Sequence, residues 1–122
     1  AQIQVGKLAE IMSKVRKSMK VSKNLAHMEV LDSGASGAAN FVLGFSGKDV
    51  AITYKERVDK GIYAISVRGS PACKTHLGKL VSAVSSEVGG GGGGHDKACG
   101  AVVTKDKITK FVREMNSRLG KK

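Results

Sequence analysis

Six consecutive glycines at residues 89–94 constrain this chain more than any other feature of its sequence. Glycine loses more backbone entropy on folding than any other residue, so a run of six is a poor choice for merely joining two elements. The run therefore indicates that something approaches this backbone closely. Successive glycine N–H groups can form a concavity that binds phosphate or carboxylate oxygens, and His95 and Lys97 add donors beside it. The alternative is a flexible turn that holds no ligand.

Two familiar glycine motifs do not account for the run. Gly89, Gly91 and Gly94 satisfy the dinucleotide-binding pattern G-x-G-x-x-G, but any all-glycine run does, and here it follows a helical pattern where that motif requires a strand. The phosphate loop of ATPases needs Lys and then Ser or Thr after its last glycine, whereas this chain continues with His95 and Asp96. The sequence thus predicts neither a dinucleotide fold nor an ATPase.

Hydrophobic periodicity predicts one domain over residues 1–122, of the α+β (mixed α/β) class. Apolar residues at helical spacing indicate three helices, over residues 3–20, 77–88 and 106–120. Short or alternating apolar runs indicate strands over residues 26–31, 40–45, 49–54, 61–68 and 101–104. We expect a mixed sheet of about five strands, including an antiparallel meander from residue 40 to residue 68, covered by the three helices.

The same pattern gives three local predictions: the two faces of one strand, a turn and a loop. In the strand over residues 61–68, Tyr63, Ile65 and Val67 share one face, and Arg68 ends the opposite face. Ser46 and Gly47 are predicted to form a tight hairpin turn. Residues 32–37 are small and polar, which favours a flexible loop or linker.

Charge indicates an acidic partner. The 21 Lys and Arg against 10 Asp and Glu give the 122 residues a net charge of +11, which points first to nucleic acid and second to a membrane surface. No apolar run approaches the ~18 residues that a membrane span needs. With no Trp, two Tyr and three Phe, aromatic platforms for stacking single strands are scarce. Two cysteines without an apolar signal segment suggest free thiols and a cytoplasmic protein.

Signals for a metal site or a catalytic nucleophile are weak. Cys73 with His76 and His95 with Cys99 have spacings that in principle suit a four-ligand zinc site, but these residues also fit ordinary structural uses. A Cys99 nucleophile with His95 as base would lack an orienting carboxylate other than Asp96. The ten acidic residues are scattered and contain no Asp-x-Asp or Asp-His-His cluster for catalytic metals. We predict no catalytic residue and no metal site in this chain.

The segment over residues 92–100, Gly-Gly-Gly-His-Asp-Lys-Ala-Cys-Gly, resembles the G-G-G-H-x-x-A-x-G signature of the DHH-associated domain, type one. This domain is the C-terminal module of DHH phosphoesterases such as RecJ-like exonucleases and oligoribonucleases. The earlier strand that runs into Arg68, Gly69 and Ser70 is similar to a family strand with an Arg-x-Ser ending. The resemblance covers about residues 40–120.

The resemblance implies that hydrolysis and substrate binding belong to different domains. The DHH domain of such proteins holds manganese or magnesium and hydrolyses the substrate, while this module binds single-stranded ends, short oligonucleotides or nucleotide phosphate. The binding residues would be Gly91, Gly92, Gly93, Gly94 and His95, with Arg68, Ser70 and the neighbouring Lys97 holding the same strand. The chain itself would carry no cofactor and would not hydrolyse anything alone.

The resemblance also implies an organisation. Residues 1–22 would form a connector or packing helix, and residues 24–120 the binding module, whose protein partner is the DHH domain of the same longer chain; a homodimer is compatible with this. Two alternatives stay open. One is a module like the C-terminal part of alanyl-tRNA synthetases, which engages tRNA and aids dimerisation. The other is a protein-interaction module whose basic surface only keeps it in solution.

Overall fold

The computed structural model describes residues 19–30 and 35–120. Its strands are β1 (Lys20–Val21), β2 (Ala26–Glu29), β3 (Val50–Arg57), β4 (Ile62–Gly69), β5 (Gly91–Gly94) and β6 (Ala98–Thr104). They form one six-stranded sheet in the order β1-β2-β3-β4-β6-β5. Strands β2 and β3 run parallel, and every other neighbouring pair is antiparallel. The predicted mixed sheet is confirmed, with six strands where the sequence predicts about five.

Three α-helices accompany the sheet in the described ranges: α1 (Ala35–Ser46), α2 (Leu77–Glu87) and α3 (Ile108–Leu119), the last preceded by a 3-10 turn at Lys105–Lys107. The helices predicted over residues 77–88 and 106–120 are confirmed as α2 and α3, and with them the α+β class. The helix predicted over residues 3–20 lies outside the described residues, except that Lys20 begins β1 instead. None of the helices described here is long and apolar enough to cross a lipid bilayer.

The strand predicted over residues 40–45 is wrong, because these residues belong to α1. Ala39 and Val42 are fully buried three residues apart, which is a helical spacing. A short apolar run fits a buried strand and a buried helix equally well, so its periodicity could not distinguish them. Parallel strands such as β2 and β3 also require a crossover connection, and α1 provides it.

Two further predictions change with this helix. The hairpin turn predicted at Ser46 and Gly47 is wrong, because Ser46 is the last residue of α1, so the turn joins a helix to β3. Gly47 follows the helix with a positive φ of 70°. The loop predicted over residues 32–37 is replaced by the start of α1 from Ala35 onward, while residues 31–34 lie outside the described ranges. Of the meander predicted from residue 40 to residue 68, the antiparallel hairpin of β3 and β4 is present. The third strand beside it is β6, which pairs antiparallel with β4 but is reached only through α2 and β5.

Two hydrophobic layers of different size lie on the two faces of the sheet. The larger layer lies under α2 and α3 and contains the predicted inward face of β4, whose Tyr63, Ile65 and Val67 are all buried. The smaller layer lies under α1, where Val42 packs with Ala26, Met28, Val30 and Ala51. Arg68 therefore stands on the face of β4 opposite to α2 and α3.

The glycine run divides into a turn and a strand. Gly89 has a positive φ of 84° and follows α2, and the Gly90 N–H donates to the Ser85 carbonyl at 2.8 Å. Residues 91–94, expected as a loop, form β5 at one edge of the sheet, paired with β6. The other edge of the sheet is β1.

Candidate functional site

The strand ends bring several predicted binding residues to one end of the sheet. Arg68 near the end of β4 is paired with Ala98 at the start of β6. The N–H of Gly69 donates to the Lys97 carbonyl at 2.9 Å, and the N–H of His95 donates to the Ala98 carbonyl at 2.9 Å. Arg68, His95 and Lys97 are therefore placed around the turn that joins β5 to β6.

Arg68 is held in position by the sheet itself. Its side chain is half-buried, and Nη1 donates to the Val67 carbonyl at 2.9 Å and to the Cys99 carbonyl at 3.3 Å. None of the ion pairs among the described residues includes Arg68. A fixed guanidinium without a carboxylate partner has donors available for an external anion.

Cys99 of β6, whose carbonyl accepts one of these hydrogen bonds, lies opposite Val67, and its side chain belongs to the core layer under α2 and α3. Burial raises the pKa of its thiol to about 11, and the Arg68 charge opposes that shift only in part. The thiol is therefore neutral near pH 7. A neutral buried thiol is a poor nucleophile, which argues against the Cys99 and His95 arrangement for catalysis.

Ser70 and Lys97 already have partners within the chain. The Ser70 hydroxyl donates to Asp49 Oδ1 at 2.8 Å, and its N–H donates to the Asp49 carbonyl at 2.8 Å. The Lys97 ammonium donates to the Cys73 carbonyl. Ser70 therefore has no hydroxyl proton to offer an anion in this arrangement, whereas the ammonium of Lys97 retains two of its three donors.

Close packing explains part of the glycine run. A Cβ on Gly94 would lie 2.8 Å from Cys99 Cα, and one on Gly92 would lie 2.6 Å from Ala101 Cβ. A Cβ on Gly78 in α2 would lie 2.3 Å from the Gly94 carbonyl oxygen. The sequence predicts that something approaches this backbone, and the chain's own helix α2 and strand β6 do so.

An open groove of about 510 Å³ runs between α2 and β5. Its lining includes Gly93 and Gly94, together with residues that the sequence analysis did not assign to a binding site: His76, Gly78, Lys79, Ser82, Ala83 and Ser86. The polar members recur at helical spacing on the exposed side of α2. That spacing, next to the glycine run, is the signal that could have identified them.

His76 and His95 have different roles in this region. His76 is the N-cap of α2, where its Nδ1 accepts the N–H of Lys79 at 3.2 Å. His95 is exposed, and its imidazole has no hydrogen bond among the described residues. Across residues 19–30 and 35–120, no group of three or more His, Cys, Asp or Glu side chains is arranged to hold a metal ion. The two cysteines are buried free thiols.

These features define a class of module: a mixed α+β sheet with a glycine edge strand under a helix and a fixed arginine at the sheet end. The family model of the DHHA1 domain matches residues 22–121. The chain belongs to this family, which confirms the resemblance read from the glycine-histidine segment.

One curated relative is 50% identical over 41 residues, an uncharacterized protein of Methanocaldococcus jannaschii. The aligned part is 34% of this chain and 10% of that protein, so the chain spans a small fraction of the relative's length.

Three solved structures share the fold at low identity. The pGpG-specific phosphodiesterase PggH of Vibrio cholerae has a TM-score of 0.69 and 14% identity, over 91% of this chain and 38% of that one. RecJ of Thermus thermophilus has a TM-score of 0.62 and 15% identity, over 94% and 17%. The C-Ala domain of Aquifex aeolicus alanyl-tRNA synthetase has a TM-score of 0.64 and 14% identity, over 84% and 97%. At these identities the likeness concerns the fold.

Proposed function

We propose that this chain binds single-stranded nucleic acid ends or short oligonucleotides, as the substrate-binding module of a DHH-family phosphoesterase. The observation that carries the proposal is Arg68, a positioned guanidinium without a carboxylate partner in the described chain, at the sheet end where β5 and His95 also lie. Family membership and the net charge of +11 support the same assignment.

The chemistry of the site suits a phosphate group. A guanidinium can donate two parallel hydrogen bonds to phosphate oxygens, which fixes the orientation of the ligand as well as its position. His95 is exposed beside it, and Lys97 contributes positive charge from the same turn. On the open side of β5, a Cβ on Gly91 would meet no atom within 4 Å, so a strand of nucleic acid has room to approach the backbone there.

The proposed site does not read the base sequence of the nucleic acid. Contacts from arginine, lysine and backbone N–H groups to phosphate position a nucleic acid without reading its bases. Only two tyrosines and three phenylalanines occur in the chain. Tyr54 and Tyr63 lie in the core layer under α2 and α3, on the face of the sheet opposite to Arg68. The site is therefore proposed to recognise phosphate and backbone, with DNA and RNA distinguished weakly.

Hydrolysis is assigned to a separate DHH domain of a longer protein. The described residues contain no cluster suited to a catalytic metal ion, and the acidic residues of the sequence form no Asp-His-His motif. In this proposal, manganese or magnesium is bound by the DHH domain, and this module holds the substrate across the cleft.

A second candidate is a tRNA-binding and dimerisation module. The specific observation in its favour is that the match to the C-Ala domain covers 97% of that domain, whereas the matches to PggH and RecJ cover smaller parts of longer chains. The glycine-histidine segment favours the phosphoesterase assignment over this one. A protein-interaction module without nucleic-acid affinity is the remaining alternative.

Fluorescence anisotropy with three ligands separates these functions. The ligands are a labelled 5′-phosphorylated trinucleotide, a labelled duplex and a labelled tRNA, each titrated at two salt concentrations with wild-type chain and with His95→Ala. We expect the trinucleotide to bind saturably and His95→Ala to weaken it, because His95 lies at the site and bears no structural hydrogen bond from its ring. Selective binding of tRNA, with a dimer in sedimentation, would support the C-Ala-like function. Absence of binding to all three ligands would support an interaction module.

A further inference from the structure

A second cavity lies at the opposite edge of the sheet from β5. It has a volume of about 290 Å³ and opens between the β1–β2 strand pair and α3. The cavity is lined by α3 and by Tyr54, which belongs to the core layer under α2 and α3. Arg68 stands on the opposite face of the sheet, so the cavity is distinct from the site around Arg68.

Two hydrogen bonds hold the walls of this cavity together. The Asn24 N–H, in the turn between β1 and β2, donates to Asn116 Oδ1 of α3 at 2.9 Å, and Asn24 Nδ2 donates to the Asn116 carbonyl at 2.8 Å. These bonds fix the β1–β2 pair relative to α3. A preformed cavity binds a ligand without paying to order its own walls.

The cavity has two cationic side chains from different elements. Lys20 of β1 and Arg113 of α3 both line it. Neither takes part in an ion pair among the described residues. The carboxylate of Glu29 acts on Tyr54 of the cavity wall through its charge and accepts a hydrogen bond from the Tyr63 hydroxyl at 3.4 Å. Among the described residues, neither Lys20 nor Arg113 has a carboxylate within ion-pair distance.

The other walls are aromatic and apolar. His27 and Tyr54 line the sheet side, with ring centroids 6.0 Å apart and His27 Nδ1 lying 3.1 Å from the Tyr54 hydroxyl oxygen. Burial and, to a smaller extent, the charge of Lys20 lower the pKa of His27, so its ring is neutral near pH 7. Ile108 and Val112 provide the apolar side from α3. Flat neutral rings and aliphatic groups suit the faces of a ring-shaped ligand.

We propose that this cavity is a second binding site, for one phosphorylated nucleoside. Its phosphate would lie between Lys20 and Arg113, and its base against the His27 and Tyr54 wall. The volume of about 290 Å³ is close to the lower limit of about 300 Å³ for small-molecule sites, which suits one mononucleotide better than a longer oligonucleotide. The site does not depend on the function proposed for the Arg68 region.

The histidine ring signals test this proposal, because the three histidines of the chain report on three places. His27 lies in the cavity, His76 in the groove beside α2, and His95 at the turn after β5. Adenosine monophosphate is titrated into the whole chain while the three ring C–H signals are followed by NMR. We expect the His27 signals to shift saturably. Tyrosine fluorescence gives a second readout, since the chain has no Trp and its two tyrosines are Tyr54 and Tyr63.

Variants and simpler ligands complete the test. Arg113→Gln should weaken the binding reported by His27 at least about tenfold, the loss expected for a hydrogen bond to a charged group. Lys60→Gln removes an equal charge from the exposed β3–β4 turn and should leave that binding within about twofold. Inorganic phosphate and adenosine, titrated separately, should each bind more weakly than the mononucleotide.

The outcomes are separable. A shift of His95 without a shift of His27 would overturn this proposal and leave the function proposed for the Arg68 region intact. A shift of His27 without one of His95 would support the second site alone. Equal affinity for inorganic phosphate and the mononucleotide would overturn the nucleoside part. An equal effect of Arg113→Gln and Lys60→Gln would show charge attraction without a site.

Discussion

Replacing Arg68 with alanine should weaken the binding of a short oligonucleotide far more than removing any cation from elsewhere on the surface. Nη1 is held by the Val67 and Cys99 carbonyls, so the guanidinium presents its remaining donors from a fixed position. A hydrogen bond to a charged group contributes about 1.5–3 kcal/mol. The expected rise in Kd is therefore about 10- to 150-fold.

Arg57 is the matched control. It is the last residue of β3, it is exposed, and in the β3–β4 pair it lies opposite Ile62, at the far end of the hairpin from Arg68. Arg57→Ala removes the same charge and the same side chain. If the site is real, Arg57→Ala should cost only a few tenths of a kcal/mol, about twofold or less in Kd, and act mainly on the salt dependence.

The assay is a titration of a labelled 5′-phosphorylated trinucleotide by anisotropy at two salt concentrations, with thermal melting of each variant by circular dichroism. Arg68→Ala also removes the bonds to the Val67 and Cys99 carbonyls, so Arg68→Lys is included. The lysine keeps the charge but cannot donate two parallel bonds, and it should recover only part of the affinity. Equal losses from Arg68→Ala and Arg57→Ala would refute the reasoning, since the chain would then bind as a general polycation.

Three further predictions concern the fold around the site. Gly94→Ala should lower the free energy of unfolding by about 2 kcal/mol or more, because of its φ of +143° and the contact with Cys99, whereas Gly91→Ala should change the melting temperature little; equal melting temperatures would contradict this. The Cys99 thiol should react with a thiol reagent only on unfolding, and stability should fall between about pH 9 and pH 11 and fall less in Cys99→Ala, because the unfolded thiol loses its proton first; rapid labelling of the native chain would contradict it. His76→Ala should cost about 0.5–2 kcal/mol in chemical denaturation by removing the cap on the Lys79 N–H, and a variant as stable as wild type would show that the cap is unimportant.

The sequence was most informative where one face of an element is buried. The alternation of Tyr63, Ile65 and Val67 in β4 and the apolar stripes of α2 and α3 follow directly from that burial. The prediction was wrong at residues 40–45, because apolar side chains occur on more than one side of α1: Val42 is fully buried, and Phe41, Leu43 and Phe45 are partly buried against the same cluster. Asn40 is the only strongly polar side chain in the Ala-Asn-Phe-Val-Leu-Gly-Phe segment over residues 39–45.

The candidate site was predicted in part. The glycine-histidine segment and Arg68 were singled out from the sequence, but their proximity depends on the pairing of β4 with β6, which no local pattern specifies. The hydrogen bond from Ser70 to Asp49 could not be predicted either, because it joins residues 21 positions apart in the sequence. Short polar residues such as Ser82 of α2 cannot be distinguished from an ordinary exposed helix face in the sequence. Only the structure shows that β5 lies beside them.

The fold requires glycine at most positions of the run over residues 89–94, but not at all of them. Gly89, Gly93 and Gly94 have positive φ values, and a Cβ on Gly90 or Gly92 would lie within 2.6 Å of β6 atoms, so the fold accounts for five of the six. Gly91 has neither a positive φ nor an atom within 4 Å of an added Cβ. Neither backbone conformation nor packing therefore explains why residue 91 is a glycine. If a nucleic-acid strand approaches β5 on its open side, Gly91→Ala should fold like wild type and yet bind the trinucleotide more weakly. Wild-type affinity in that variant would mean that the glycine run serves the close packing of α2 and β6, and that the ligand contacts lie at Arg68 and His95 alone.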